Sequence, residues 1–280
     1  MRITLVSDLH FEINDYPNLK AKDFGGDVLI ISGDLTCARF FNPRRNDSEA
    51  RSHRKFIKKF NKEIASKYDK CFYVVGNHEH YRYIFDQTIP SLREGLKDTN
   101  ITLLDNESVE YQDVLFYGTT LWTSYDNGNA VEMNVIQQMM NDYAVIFQKD
   151  PTELSYVERR SGNTATIDPQ FIFDVHRDQL AKLETFLADN RRRRVVVITH
   201  HAPTLLAQNV GRYGTNLTHA YCSDLHYLMA KYANIELWTY GHTHDSMDMK
   251  IENTRVVSNQ LGYVGYDRSS DRFNALHIEI

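Results

Sequence analysis

Imidazoles, carboxylates and one carboxamide recur in five clusters: Asp8-Leu9-His10, Gly33-Asp34, Gly76-Asn77-His78-Glu79, His200-His201 and Gly241-His242-Thr243-His244. Oxygen and imidazole donors of this kind suit divalent transition metals. Asp8 and His10 stand two residues apart, as do His242 and His244, so in extended backbone each pair points to one side. These two pincers with Asp34 already exceed what one ion requires. Asn77 and His200 bring the set to seven donors, which divides into two sites sharing one bridging carboxylate. In the doublet, either His200 or His201 can be the ligand at this point.

What would bring the clusters together is the sequence just before each one. Ile3-Thr4-Leu5-Val6, Val28-Leu29-Ile30-Ile31, Phe72-Tyr73-Val74-Val75, Val195-Val196-Val197-Ile198 and Leu237-Trp238-Thr239-Tyr240 read as buried strands. In open α/β sheets the loops after such strands gather on one edge, where ligands bind. Residues 48–68 carry Phe56, Ile57, Phe60, Ile64 and Tyr68 at helical spacing, with Lys and Arg on the solvated face. Helical patterns are also expected over 84–98 and 170–190. Strands over 101–104 and 114–118 are expected to start a second sheet, and 247–251, 254–258 and 274–280 to form a terminal antiparallel meander. Between Trp122 and about Asp168 the texture changes to Asn, Tyr, Met and Gln, with a helical stretch over 131–147. This inserted, cap-like segment is placed to overhang the pocket. Arg191 to Arg194 precede a strand and so lie at its amino end, opposite that pocket.

The donors span Asp8 to His244, so the 280 residues read as a single domain. A net charge of −5 and a pI near 6.2 give no general attraction for polyanions, which disfavours nucleic acid as a partner. Cys37, Cys71 and Cys222 are odd in number and widely spaced, fitting buried thiols in a reducing compartment. Neither a signal segment nor a membrane span is legible, and the reading is a cytoplasmic protein. His80 reads as a loop residue, and His53, His176, His219, His226 and His277 as surface or packing histidines.

In order and spacing, the five blocks resemble the calcineurin-like metallophosphoesterase superfamily, whose pattern runs D-x-H, G-D, G-N-H-[DE], H and G-H-x-H. The resemblance covers nearly the whole chain. It implies a four-layer α/β sandwich of two mixed β-sheets flanked by helices. It further implies that Asp8, His10, Asp34 and His244 hold one metal, while Asp34 as the bridge, Asn77, His200 and His242 hold the second. Of the doublet it favours His200, leaving His201 as a wall of the pocket. His78 would be the acid or electrostatic contact to substrate, oriented by Glu79 or Asp34.

Two divalent ions bring +4 against −2 from Asp8 and Asp34, leaving positive charge for a phosphoryl group and a hydroxide. Mn²⁺ is the leading candidate, with Fe, Zn, Co or Ni as alternatives. The function expected is hydrolysis of a phosphoester by direct attack of metal-bound hydroxide, with Asp34 and His78 catalytic. The absence of a phosphate-gripping arginine pair beside the motifs leans the substrate towards a phosphodiester or a small nucleotide-like molecule. A phosphomonoesterase or protein phosphatase, and a non-catalytic scaffold on the same fold, are the alternatives. Candidate substrate contacts are Tyr81, Arg82, Trp122, Tyr125, His201 and Asn259, with others in the loop over 205–218.

Overall fold

A computed structural model of the chain describes residues 1–14, 19, 23–160, 162, 164–207 and 217–280. Its first sheet holds β1 (Arg2–Val6), β2 (Val28–Ser32), β3 (Lys70–Val74) and β4 (Ile101–Leu103) as parallel neighbours in the order β1-β2-β3-β4. The second begins with an antiparallel hairpin, β5 (Glu107–Tyr111) and β6 (Val114–Gly118). It continues in parallel through β7 (Arg194–Ile198), β8 (Ile235–Tyr240) and, after β9 (Asp248–Ile251), β10 (Thr254–Ser258). β9 pairs antiparallel with β10 at the far edge, and β11 (Leu276–Glu279) pairs antiparallel with β1.

Period-two alternation explains why the strands read as unbroken apolar runs. In β2, Val28 and Ile30 face the other sheet, while Leu29 and Ile31 face helices, and all four are fully buried. Strands covered on both faces need no polar side. The inner layer joins Ile3, Leu5, Phe72 and Val74 to Val114, Phe116, Val196, Ile198 and Leu237. Outside the first sheet, α1 (Ser48–Glu63) and α2 (Phe85–Leu96) insert Ile57, Phe60, Leu92 and Leu96. Outside the second, the long helix over Pro169–Asp189 inserts Leu183 and Leu187. The result is the four-layer sandwich of two mixed sheets.

Both long helices start as their sequences dictate. Asp47 accepts the Ala50 N–H at the start of α1, and Asp168 accepts that of Phe171 ahead of Pro169. The basic run lies away from the donors: Arg194 forms a two-pronged pair with Glu236, and Arg193 pairs with Glu110.

Three expectations need correction. The strand at 101–103 closes the first sheet instead of opening the second, which starts at Glu107. The last segments are no single meander: β9 and β10 stay in the second sheet, whereas β11 crosses to the first and covers the edge that β1 would otherwise expose. The helix expected over 131–147 is broken into Ala130–Met139 and Asp142–Val145 by extended backbone at Met140. That break turns Asp142 into the protein, where it meets Asn77. The inserted segment has a small core of its own, with Trp122, Tyr125, Ile136, Ile146 and Ile167 packed against Ile172. Of the loop expected over 205–218, residues 208–216 lie outside the described residues, as do 161 and 163 of the other loop signal.

Phe116 is fully buried between the sheets beside Phe72, at a ring separation of 4.8 Å. Phe116→Ala is expected to cost roughly 3 to 5 kcal/mol of folding stability. Denaturant unfolding followed by circular dichroism measures it, and a loss below about 1 kcal/mol would contradict the inner-layer assignment.

Candidate metal centre

All five clusters leave the carboxyl ends of parallel strands: β1 leads to Asp8 and His10, β2 to Asp34, β3 to Asn77, β7 to His200, and β8 to His242 and His244. The turns are tight. Asp8, His10, Asp34, His242 and His244 all hold positive φ, between 46° and 70°. Left-handed backbone costs a non-glycine residue roughly 1 to 2 kcal/mol, so this edge stores strain of the kind found at functional sites.

Space is equally constrained. A Cβ on Gly33 would lie 2.2 Å from His200 Nδ1, one on Gly76 2.2 Å from Asp34 Oδ1, and one on Gly241 2.7 Å from Asp8 Oδ2. At Gly33 and Gly76 a donor side chain occupies the space a side chain would need, and at Gly241 the Ser7 hydroxyl and the Ser32 carbonyl crowd it before Asp8 does.

Hydrogen bonding decides whether the donors fit metal ions. His10 Nδ1 donates to Glu12 Oε1 at 2.9 Å, His244 Nδ1 to Asp267 Oδ2 at 2.7 Å, and His200 Nδ1 to the Ser32 carbonyl at 2.8 Å. With the proton of a neutral imidazole on Nδ1, Nε2 carries a bare lone pair. Yet His10 Nε2 and His244 Nε2 stand 3.1 Å apart, and His200 Nε2 stands 3.1 Å from Asn77 Oδ1 and 3.4 Å from Asp34 Oδ2. Asn77 turns its oxygen inward because its Nδ2 donates to Asp142 Oδ1 at 2.8 Å. In the neutral form of these rings acceptors therefore face acceptors in two places. Burial disfavours charge on them, but with the protein's own charges alone the nearby carboxylates outweigh it and lift His200 to about 9 and His244 to about 10. Ligands about 2.1 Å from one ion lie roughly 3.0 to 3.4 Å from each other, which is the spacing found.

The carboxylates complete both groups. Asp8 Oδ1 is 3.4 Å from His244 Nε2, and Asp34 Oδ2 is 3.6 Å from His10 Nε2 as well as near His200. Asp34 thus sits between the groups, its other oxygen accepting the His78 backbone N–H at 2.9 Å. His242 groups with Asp34 and His200 within 4.8 Å. His78 also lies close to His10 and Asp34, but both its ring nitrogens are engaged: Nδ1 with Glu12 Oε1 at 2.9 Å and Nε2 with the Tyr263 hydroxyl at 3.1 Å.

Of the two carboxylates expected to orient His78, Asp34 meets its backbone N–H and Glu79 does not touch it, while the ring itself is held by Glu12. Glu79 accepts backbone N–H bonds from Asp34, Leu35 and Gly76 and the Tyr73 hydroxyl, tying together the loops after β2 and β3. Burial disfavours charge on His78, but with the protein's own charges alone the carboxylates of Asp34 and Glu12 outweigh it and lift His78 to about 9.

A pocket of about 220 Å³ opens onto the donors, walled by His78, Tyr81, Tyr221 and Tyr263 and by Met139, Met140 and Asn141 of the inserted segment. Of the six candidate substrate contacts, Tyr81 is the one that lines it, stacked on His78 at 4.0 Å. Arg82 is exposed, with its backbone N–H on Val145. Trp122, Tyr125 and His201 lie behind the centre around a smaller cavity, and the Tyr125 hydroxyl meets that of Tyr143. Asn259 spends both amide hydrogens on the Leu5 and Asn274 carbonyls, which fasten β1 to the last segment. A larger cavity, about 460 Å³ between α2 and the long helix, contains none of the seven donors. His80, expected as a loop residue, ends a short 3-10 helix after β3 and is buried against Phe85. The other histidines pack or pair: His53 on Phe40, His176 on the Leu121 carbonyl and His219 on Glu132.

Residues 1–246 match the family model of the calcineurin-like phosphoesterases. The chain belongs to that family. It is 31% identical to the L509 protein of Acanthamoeba polyphaga mimivirus over 92% of this chain and 90% of the relative. Among solved structures it is similar to the phosphopantetheinyl hydrolase PptH of Mycobacterium tuberculosis, with a TM-score of 0.66, 14% identity and coverage of 98% of this chain and 95% of that one. At that identity the likeness is one of fold. Membership implies metal-dependent phosphoester hydrolysis, and the donor set suits divalent ions. Among the described residues no helix is long and apolar enough to cross a membrane.

Gly76→Ala should displace Asp34 and His200 together and lower metal affinity by more than about 10-fold, a loss on the scale of disturbing a ligand's support. Calorimetric titration with Mn²⁺ reads this, and wild-type affinity in the variant would contradict the packing argument.

Proposed function

We propose that the protein is a dinuclear metal-dependent phosphoester hydrolase that favours phosphodiester or small nucleotide-like substrates. The observation carrying this reading is the convergence of acceptor lone pairs on two points astride Asp34. Asp8, His10, Asp34 and His244 would hold one ion, and Asp34, Asn77, His200 and His242 the other, with Mn²⁺ the first candidate. When bound, such a pair supplies Lewis acidity and an activated water at neutral pH.

The chain's own residues then have distinct roles. Asp34 fixes the spacing of the two groups. Asp34 and Glu12 favour the charged ring and Glu12 accepts the Nδ1 proton, so Nε2–H, which meets the Tyr263 hydroxyl in this structure, can exchange that partner for the leaving oxygen. With the attacking water having first given a proton to solvent, its oxygen would bond to phosphorus as the ester P–O bond breaks, and the His78 proton would pass to the departing alkoxide. Tyr81 and Tyr263 keep the His78 ring in place. The walls of the 220 Å³ pocket include neither Lys nor Arg among the described residues, which favours a monoanionic diester over a dianionic monoester. Met139 to Asn141 cap the pocket and limit access of bulky substrates. The three buried cysteines fit a cytoplasmic setting.

Exhaustive chelation is expected to abolish hydrolysis of a bis-nitrophenyl phosphate, and Mn²⁺ to restore it. Activity that survives verified metal removal contradicts the proposal.

His78→Ala is expected to lower kcat by roughly 10²- to 10⁴-fold while leaving metal content intact. A nitrophenolate leaves without a proton and an alkoxide does not, so the defect should be larger on an alkyl or nucleoside diester. Both comparisons belong at saturating substrate. Equal defects on the two esters would withdraw the general-acid role.

A further inference from the structure

Every donor of the centre but one is held from behind. His10, His200 and His244 give their Nδ1 hydrogens to Glu12, Ser32 and Asp267, and Asn77 gives an amide hydrogen to Asp142. Asp8 and Asp34 accept the backbone N–H groups of His242 and His78. His242 is the exception: its Nε2 is buried and has no hydrogen-bond partner among the described residues. Of the other buried atoms in that condition, two stand beside it, Asp142 Oδ2 and His201 Nδ1. The three side chains line the same cavity, of about 10 Å³, beside Trp122 and Tyr125. A water requires on the order of 10 Å³ of such space and two to four polar partners, and buried polar atoms without partners are costly.

We propose that Asp142, carried by the inserted segment, positions two ligands of the second metal group: Asn77 directly through Oδ1, and His242 through one buried water bound to Oδ2. The inference rests on the two-metal reading above. The water accepts from His242 Nε2–H and donates to Asp142 Oδ2 and His201 Nδ1, so all three atoms are satisfied. It fixes the His242 tautomer with the proton on Nε2, leaving Nδ1 as the ligating atom, as a metal-bound histidine's outer partner does. The second histidine of the doublet is accounted for as well, because His201 orients the water. The inserted segment is thereby more than a cover, since one of its carboxylates completes the site beneath it.

The test is titration of Mn²⁺ into metal-stripped full-length protein, with free ion read by electron paramagnetic resonance and folding checked by circular dichroism. The wild type should bind two ions. Asp142→Ala should bind one with unchanged affinity and the other about 10- to 100-fold more weakly, whereas Asp142→Asn, which keeps an oxygen for Asn77, should lose less. Two ions bound by Asp142→Ala at wild-type affinity, or equal losses in the two variants, would overturn the inference. A wild type that binds no Mn²⁺ would instead sink the two-metal reading on which it rests. A high-resolution crystal structure of the wild type keeps the water testable however the variants fold. One water within hydrogen-bond distance of all three atoms is expected, and a dry cavity overturns that link.

Discussion

Three imidazole protons are committed away from the centre of this molecule, and most of what surrounds the centre follows from that. With Nδ1 of His10, His200 and His244 bound to Glu12, Ser32 and Asp267, the opposite nitrogens point lone pairs at one another and at Asp34 and Asn77. Acceptors this close repel unless a cation or a proton lies between them. Placing them there is a cost the fold must offset elsewhere, as it must the left-handed backbone at five of the donors. Metal binding returns that free energy and so couples occupancy of the centre to the stability of the protein.

What offsets the cost is the β-sandwich itself. Two sheets pack their inner faces through Ile3, Leu5, Phe72, Phe116, Val196 and Leu237, all fully buried, and each is backed by helices. Burial of that extent fixes the register of the parallel strands, so their carboxyl ends arrive at one edge. Glu79 then ties the loops after β2 and β3 together through buried bonds to Gly76, Asp34 and Leu35. Gly33, Gly76 and Gly241 let those loops approach until donor side chains nearly touch the opposing backbone. The glycines of the motifs are thus a steric consequence of how closely the loops crowd at this edge.

The strands and the polar clusters at their ends were legible in the sequence because both signals are local: a run of apolar residues, then a cluster of side chains able to ligate. Glu12 was within reach of the same logic, since it continues the two-residue spacing of Asp8 and His10. Asp142 and Asp267 were not, because each meets the centre only through tertiary packing. The helix break at Met140 escaped the reading of 131–147 as one helix because the contact it permits, between Asn77 and Asp142, lies across the pocket. The crossing of the last strand to β1 was hidden for a similar reason, since apolar alternation does not say which sheet edge is open. Substrate contacts fared worst. Asn259 and Trp122 carry chemistry-bearing side chains at strand ends, yet one fastens backbone and the other fills a core.

The central claim is that the seven donors form one centre for two ions with Asp34 shared between them. Anomalous diffraction from crystals of the Mn²⁺-saturated protein, recorded on both sides of the manganese absorption edge, tests it without recourse to any substrate. The account requires two manganese peaks about 3.5 to 4 Å apart, one beside His10 and His244, the other beside His200 and His242, with Asp34 touching both. A single peak at full saturation, or two peaks of which only one contacts Asp34, would contradict it.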